Sequence, residues 1–167
     1  GRVSNIPAYD VSIKQEWQEN GEYLISVSGK VRESSMFGEN MVLKRTIKTY
    51  LGSSDFSIHD EVCNEGFSKT PIMMLYHMNF GYPLLSEDSV LKTNCENLRP
   101  RDDAAEAGML ETTSFSKPIP SYAEQVFYRD AVDNSYAELY NPALGLSCKI
   151  GFSSKQLPNF ILELPSP

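Results

Sequence analysis

Glu22-Tyr23-Leu24-Ile25-Ser26-Val27-Ser28-Gly29-Lys30-Val31-Arg32-Glu33 decides the fold class. Tyr23, Ile25, Val27, Gly29 and Val31 fall on one face at a period of two, and the other face is mostly polar. Successive side chains of an extended chain point to opposite sides, so this pattern predicts a half-buried strand. Working outward, Met41 to Leu51 repeats the device, with Thr, Lys and Tyr on the wet side. Asp55 to Cys63 follows across a Gly-Ser-Ser turn, with Phe56, Ile58 and Val62 inward. Short turns between such strands predict an antiparallel meander.

Pro71 to Leu85 reads as the centre of the chain, and it begins as the next strand. Ile72, Met74, Tyr76, Met78 and Phe80 share one face, and Met73, Leu75, His77 and Asn79 the other, before Gly81 and Pro83 stop the run. A buried strand ending in an imidazole and a carboxamide can form the mouth of a polar site. The same pattern also describes a core strand whose end reaches solvent, with His77 hydrogen-bonded and idle.

Ser86 to Cys95 reads as a further strand, and Leu98 to Gly108 as a loop with one helical turn. Glu124 to Val132, Ser135 to Tyr140 and Leu146 to Phe152 are the last strands, joined by Asp-Asn and Asn-Pro turns. Glu124-Gln125 follows a proline-rich loop, where a strand entrance either lines a cleft or exposes a solvated pair. Closely spaced strands with almost no helix predict an all-β antiparallel β-sandwich, one domain over residues 1–167.

A net charge of −7 on 167 residues, with no basic cluster, argues against a nucleic-acid partner held by phosphate contacts. No apolar stretch is long enough to cross a bilayer. Cys63, Cys95 and Cys148 are odd in number and far apart, which fits reduced thiols in a cytoplasmic protein. With two histidines and these scattered thiols, no metal site is expected. His59 lies opposite Ile58 and reads as a solvated imidazole. The tyrosines suit packing more than a sugar platform.

His77-Met78-Asn79-Phe80-Gly81-Tyr82-Pro83-Leu84-Leu85 resembles a strand of the galactose mutarotase-like (aldose 1-epimerase) superfamily, in a bacterial branch where His-x-Asn-x-Gly-x-Pro-Leu-Leu is typical. Gly1-Arg2-Val3-Ser4-Asn5-Ile6-Pro7-Ala8, Glu124-Gln125-Val126 and Leu157-Pro158 resemble further segments of that branch, in order. The resemblance implies carbohydrate binding and mutarotase acid–base chemistry on a hexose or related sugar. It assigns His77 as the catalytic acid, and the base is either absent or Glu163, by a faint Glu-Leu-Pro echo that arrives early. Arg2, Asn79, Glu124 and Gln125 would bind substrate, with no cofactor. It further implies that the chain is the C-terminal portion of a larger sandwich. Such a portion alone would be inactive, and it would associate with itself or with the missing N-terminal half. A non-catalytic carbohydrate-binding sandwich and a structural or interaction domain are the alternatives.

Overall fold

The computed structural model describes residues 6–164, which fall into two compact units, Gly1–Leu75 and Tyr76–Pro167. Arg2 lies outside the described residues. The secondary structure is almost entirely strand, with one five-residue α-helix and a single 3-10 turn among the described residues.

The first unit is a four-stranded antiparallel meander of β1 (Tyr9–Trp17), β2 (Tyr23–Ser34), β3 (Asn40–Tyr50) and β4 (Phe56–Asn64), in that spatial order. β2 and β3 pair without a break from Leu24–Tyr50 to Ser34–Asn40. Gly52 turns the chain from β3 towards β4 with a φ of 83°, a conformation a Cβ would strain. Direct antiparallel partners lie on the same side of a sheet, so the register sorts the side chains without ambiguity. Tyr23, Ile25, Val27 and Val31 share a side with Leu43, Ile47, Ile58 and Val62, as the alternation predicts. Phe56 also lies on that side but is exposed, and the most buried β2 side chains are Leu24 and Ser26 on the other.

The second unit holds β5 (Val90–Thr93), β6 (Glu96–Pro100), α1 (Asp103–Ala107), β7 (Gln125–Asp130), β8 (Ser135–Asn141), β9 (Leu146–Phe152) and β10 (Asn159–Leu164). They form two three-stranded sheets, β10-β7-β6 and β5-β8-β9. The registers show that these are three long strand paths, each crossing from one sheet to the other. Val90–Pro100 runs antiparallel to Gln125–Asn141, which runs antiparallel to Leu146–Leu164. Each path is interrupted at the same level, by Asn94-Cys95, by residues 131–134 and by residues 153–158. Strands that switch sheets at such breaks make the corners of β-sandwiches. The core of this unit gathers Leu91, Cys95, Ala105, Val126, Phe127, Ala137 and Leu139.

The expected buried strand from Pro71 to Phe80 does not form. The segment has no regular secondary structure and pairs with no strand, and Ile72, Met73, Leu75 and Met78 are exposed. An apolar run becomes a strand only where a neighbour accepts its backbone hydrogen bonds, and Pro71 removes one donor from this one. The strand read from Ser86 to Cys95 shortens to β5, because residues 86–89 make a turn. Ser89 Oγ donates to Leu84 O at 2.7 Å and accepts from Ser86 N at 2.9 Å. Asn141, 2% exposed, donates from Nδ2 to the carbonyls of Pro83 and Leu84 at 3.1 and 3.3 Å, fastening this turn to β8.

Phe127 is 0% exposed and pairs with Leu162 across β7 and β10. Phe127→Ala is expected to cost about 3–5 kcal/mol, the usual penalty for a buried aromatic truncation. Urea denaturation of variant and parent checks it; a loss below about 1 kcal/mol would contradict the assigned core.

Candidate functional site

One side of the β10-β7-β6 sheet is charged, and the register states which residues share it. Glu163 pairs with Val126, Ile161 with Tyr128, and Arg99 with Tyr128 from the other flank. Glu124 precedes Val126 by two residues and Arg101 follows Arg99 by two, so both continue that side at strand period. Arg101 N donates to Val126 O at 2.9 Å, which extends the ladder past Pro100. Asp130 closes the row at the far end.

The two residues read as acid and base meet here. His77 Nε2 lies 3.6 Å from Glu163 Oε2, and their side chains are 54% and 44% exposed. That gap is too long for a hydrogen bond, and both groups remain accessible to a ligand. Glu124 Oε2 accepts an ion pair from Arg101 Nη1 at 2.8 Å, and Arg101 Nε donates to Asp102 Oδ2 at 2.8 Å. Asp102 Oδ1 also accepts from Ala105 N at 3.1 Å, capping α1. The first effect of this pairing is on Asp102, whose carboxyl is held below the usual range by Arg101 and then by the Ala105 amide.

Arg99 grips Asp130 with two bonds, Nη2 to Oδ1 at 2.6 Å and Nη1 to Oδ2 at 3.0 Å, and Asn97 Nδ2 adds a third at 2.8 Å. The Arg99 guanidinium and then Asn97 lower the Asp130 pKa to about 2.

Of the other expected ligands, Asn79 is exposed on the irregular segment after His77. Gln125 does not join the group. It is buried on the opposite side of β7, where its carboxamide lies over Gly108 and would collide with any Cβ there. Strand alternation turns Gln125 inward once Glu124 faces the charged side. His59 is exposed on β4, 3.6 Å from Glu61, as a solvated imidazole should be. Arg99, Arg101 and Asp130 were not anticipated. The period-two spacing of Asn97, Arg99 and Arg101 was the available signal, hidden inside a stretch that reads as loop.

Residues 1–162 match a family described as a domain of unknown function, DUF4432, and the chain belongs to that family. No curated protein matches. Among solved structures, the chain is similar to a putative aldose 1-epimerase from Klebsiella pneumoniae subsp. pneumoniae, with a TM-score of 0.85 and 24% identity. The likeness covers 98% of this chain and 43% of that one, so this chain spans less than half the length of the protein it matches. The fold is therefore the antiparallel β-sandwich of that protein.

Because the folded Asp130 pKa is lowered, its pairing stabilises the protein fully above the ordinary value of 3.8 and loses that effect as pH falls towards about 2. Asp130→Asn should therefore flatten the acid limb of stability between those values and leave the curve above pH 5 parallel to the parent's. Urea midpoints measured across that range check this; identical acid limbs would contradict the pairing.

Proposed function

We propose that the protein is a carbohydrate-handling relative of the aldose 1-epimerases and that His77 and Glu163 form its acid–base pair. The observation that carries this reading is their 3.6 Å approach on a half-exposed, polar sheet side. Mutarotation needs two proton transfers on oxygens bonded to one carbon, so the groups that perform them must be close neighbours. Glu163 takes the proton of the anomeric hydroxyl while protonated His77 gives its Nε2 proton to the ring oxygen. The bond between C1 and that oxygen breaks, and an open aldehyde forms. After rotation about C1–C2, protonated Glu163 returns a proton to the aldehyde oxygen as the ring oxygen attacks the other face. Neutral His77 takes the hydroxyl proton back. An imidazole suits this exchange because its ordinary pKa lies near neutrality.

Glu124, fixed by Arg101, would accept hydrogen bonds from sugar hydroxyls, and Asn79 would orient the ligand from the His77 segment. The name of the Klebsiella protein supports the substrate class. The reading assigns the activity to the whole sandwich, of which this chain would be the C-terminal portion.

Polarimetry of fresh α-galactose and α-glucose with the product of the natural reading frame tests it. His77→Ala and Glu163→Gln are each expected to slow mutarotation at least about 100-fold, the usual scale of general acid–base catalysis. Glu124→Gln should act mainly on KM. Hexose binding without any mutarotation would instead favour a non-catalytic carbohydrate-binding role, and no response to either sugar would end both readings.

A further inference from the structure

Tyr128 stands in the middle of the charged side of the β10-β7-β6 sheet and carries no charge itself. Ile161 is its direct partner from β10 and Arg99 from β6. Tyr128 is partly exposed, Ile161 is 40% exposed, and the Tyr128 hydroxyl has no hydrogen-bond partner among the described residues. On the other sheet of this unit, cations cover the tyrosine rings. Lys149 Nζ lies 4.3 Å from the centre of the Tyr136 ring, and Lys92 Nζ 4.3 Å from that of Tyr140. Tyr128 has an arginine as its direct partner, yet no cation covers its ring among the described residues. The Arg99 guanidinium is held instead by its two bonds to Asp130 and by Asn97 O at 3.1 Å. An aromatic face is thus left open within a row of ion pairs.

We infer that Tyr128 is a substrate-positioning residue whose ring carries the C–H face of the hexose that meets His77 and Glu163. This assignment rests on the proposed reading of that sheet side as a sugar site. Glu163 pairs with Val126, and Tyr128 lies two residues further along β7. Glu163 and Tyr128 are therefore diagonal neighbours, about 7–8 Å apart along the backbone and within reach of one hexose. A pyranose has an edge of hydroxyls and two faces made largely of C–H bonds. Carboxylates and guanidiniums recognise the edge, and only an apolar, planar group recognises a face. The reaction needs both contacts. While C1 turns about the C1–C2 bond, the remainder of the open sugar must stay in place for the ring to close again. A contact on the C3 to C5 portion holds it there and leaves C1 free to turn.

Galactose binding, rather than turnover, is the readout, so an error in the acid–base assignment does not disturb it. Tyr128→Leu keeps an apolar side chain but removes the ring, and should raise the galactose Kd at least about tenfold. Tyr128→Phe keeps the ring and should bind within about threefold of the parent. In the unmutated protein, NMR saturation of aromatic protons should pass to the C3 to C5 protons of bound galactose more strongly than to its C1 proton. Equal galactose affinity in Tyr128→Leu and the parent would overturn the inference and leave the sugar site standing. A loss in Tyr128→Phe as large as in Tyr128→Leu would also overturn it, by moving the contact to the hydroxyl. So would bound galactose that receives no saturation from aromatic protons, a result that needs no variant to fold. A parent protein that binds no hexose would instead end the sugar-site reading, and this inference with it.

Discussion

The register between β7 and β10 is the constraint on which the candidate site depends. Six consecutive pairs, from Asn159–Asp130 to Leu164–Gln125, place Glu163 opposite Val126 on the charged side. The same pairs place Leu162 opposite the wholly buried Phe127 on the other. A slip of one residue would exchange the two sides, exposing a leucine and burying a carboxylate. Burying one large apolar side chain contributes about 1.5–3 kcal/mol, and a buried unpaired charge costs more. Hydrophobic packing on one side of the sheet thus determines which carboxylate meets His77 on the other.

Charge pairing then gives the site its shape. Arg99 is engaged by Asp130, and Arg101 by Asp102 and Glu124, so both guanidiniums on this side are held in place. Their own pKa values are raised by these partners, Arg101 by Asp102 first and Glu124 second. Asp102 links two levels of structure, since the same carboxylate caps α1 and orients Arg101. The His77 segment has no strand ladder, and its order comes partly from Asn141, whose amide fastens the following turn to β8.

Alternation made the meander from Tyr23 to Cys63 and β9 from Leu146 to Phe152 legible in the sequence, because each such strand has a chemically distinct pair of sides. β1 carries a weaker form of the same signal in Val11, Ile13 and Trp17, because polar Gln15 interrupts its apolar side. β10 was obscured by Pro158 and Pro165, which flank a strand only six residues long. Pro71 to Phe80 misled for the opposite reason: composition reports hydrophobicity but says nothing of whether a neighbouring strand is there to pair. His77 and Glu163 were legible only through resemblance, since nothing in their spacing brings residues so far apart together. Gln125 shows the limit of a motif, which names a residue but not the side of the strand it takes.

The central claim is that His77 and Glu163 face one anomeric centre. A crystal structure of the protein with a bound hexose tests it most directly. The account predicts density for the sugar on the charged side of the β10-β7-β6 sheet, with the anomeric and ring oxygens within hydrogen-bond reach of Glu163 and His77 respectively. A hexose bound elsewhere, or bound there with its anomeric carbon turned away from that pair, would contradict it.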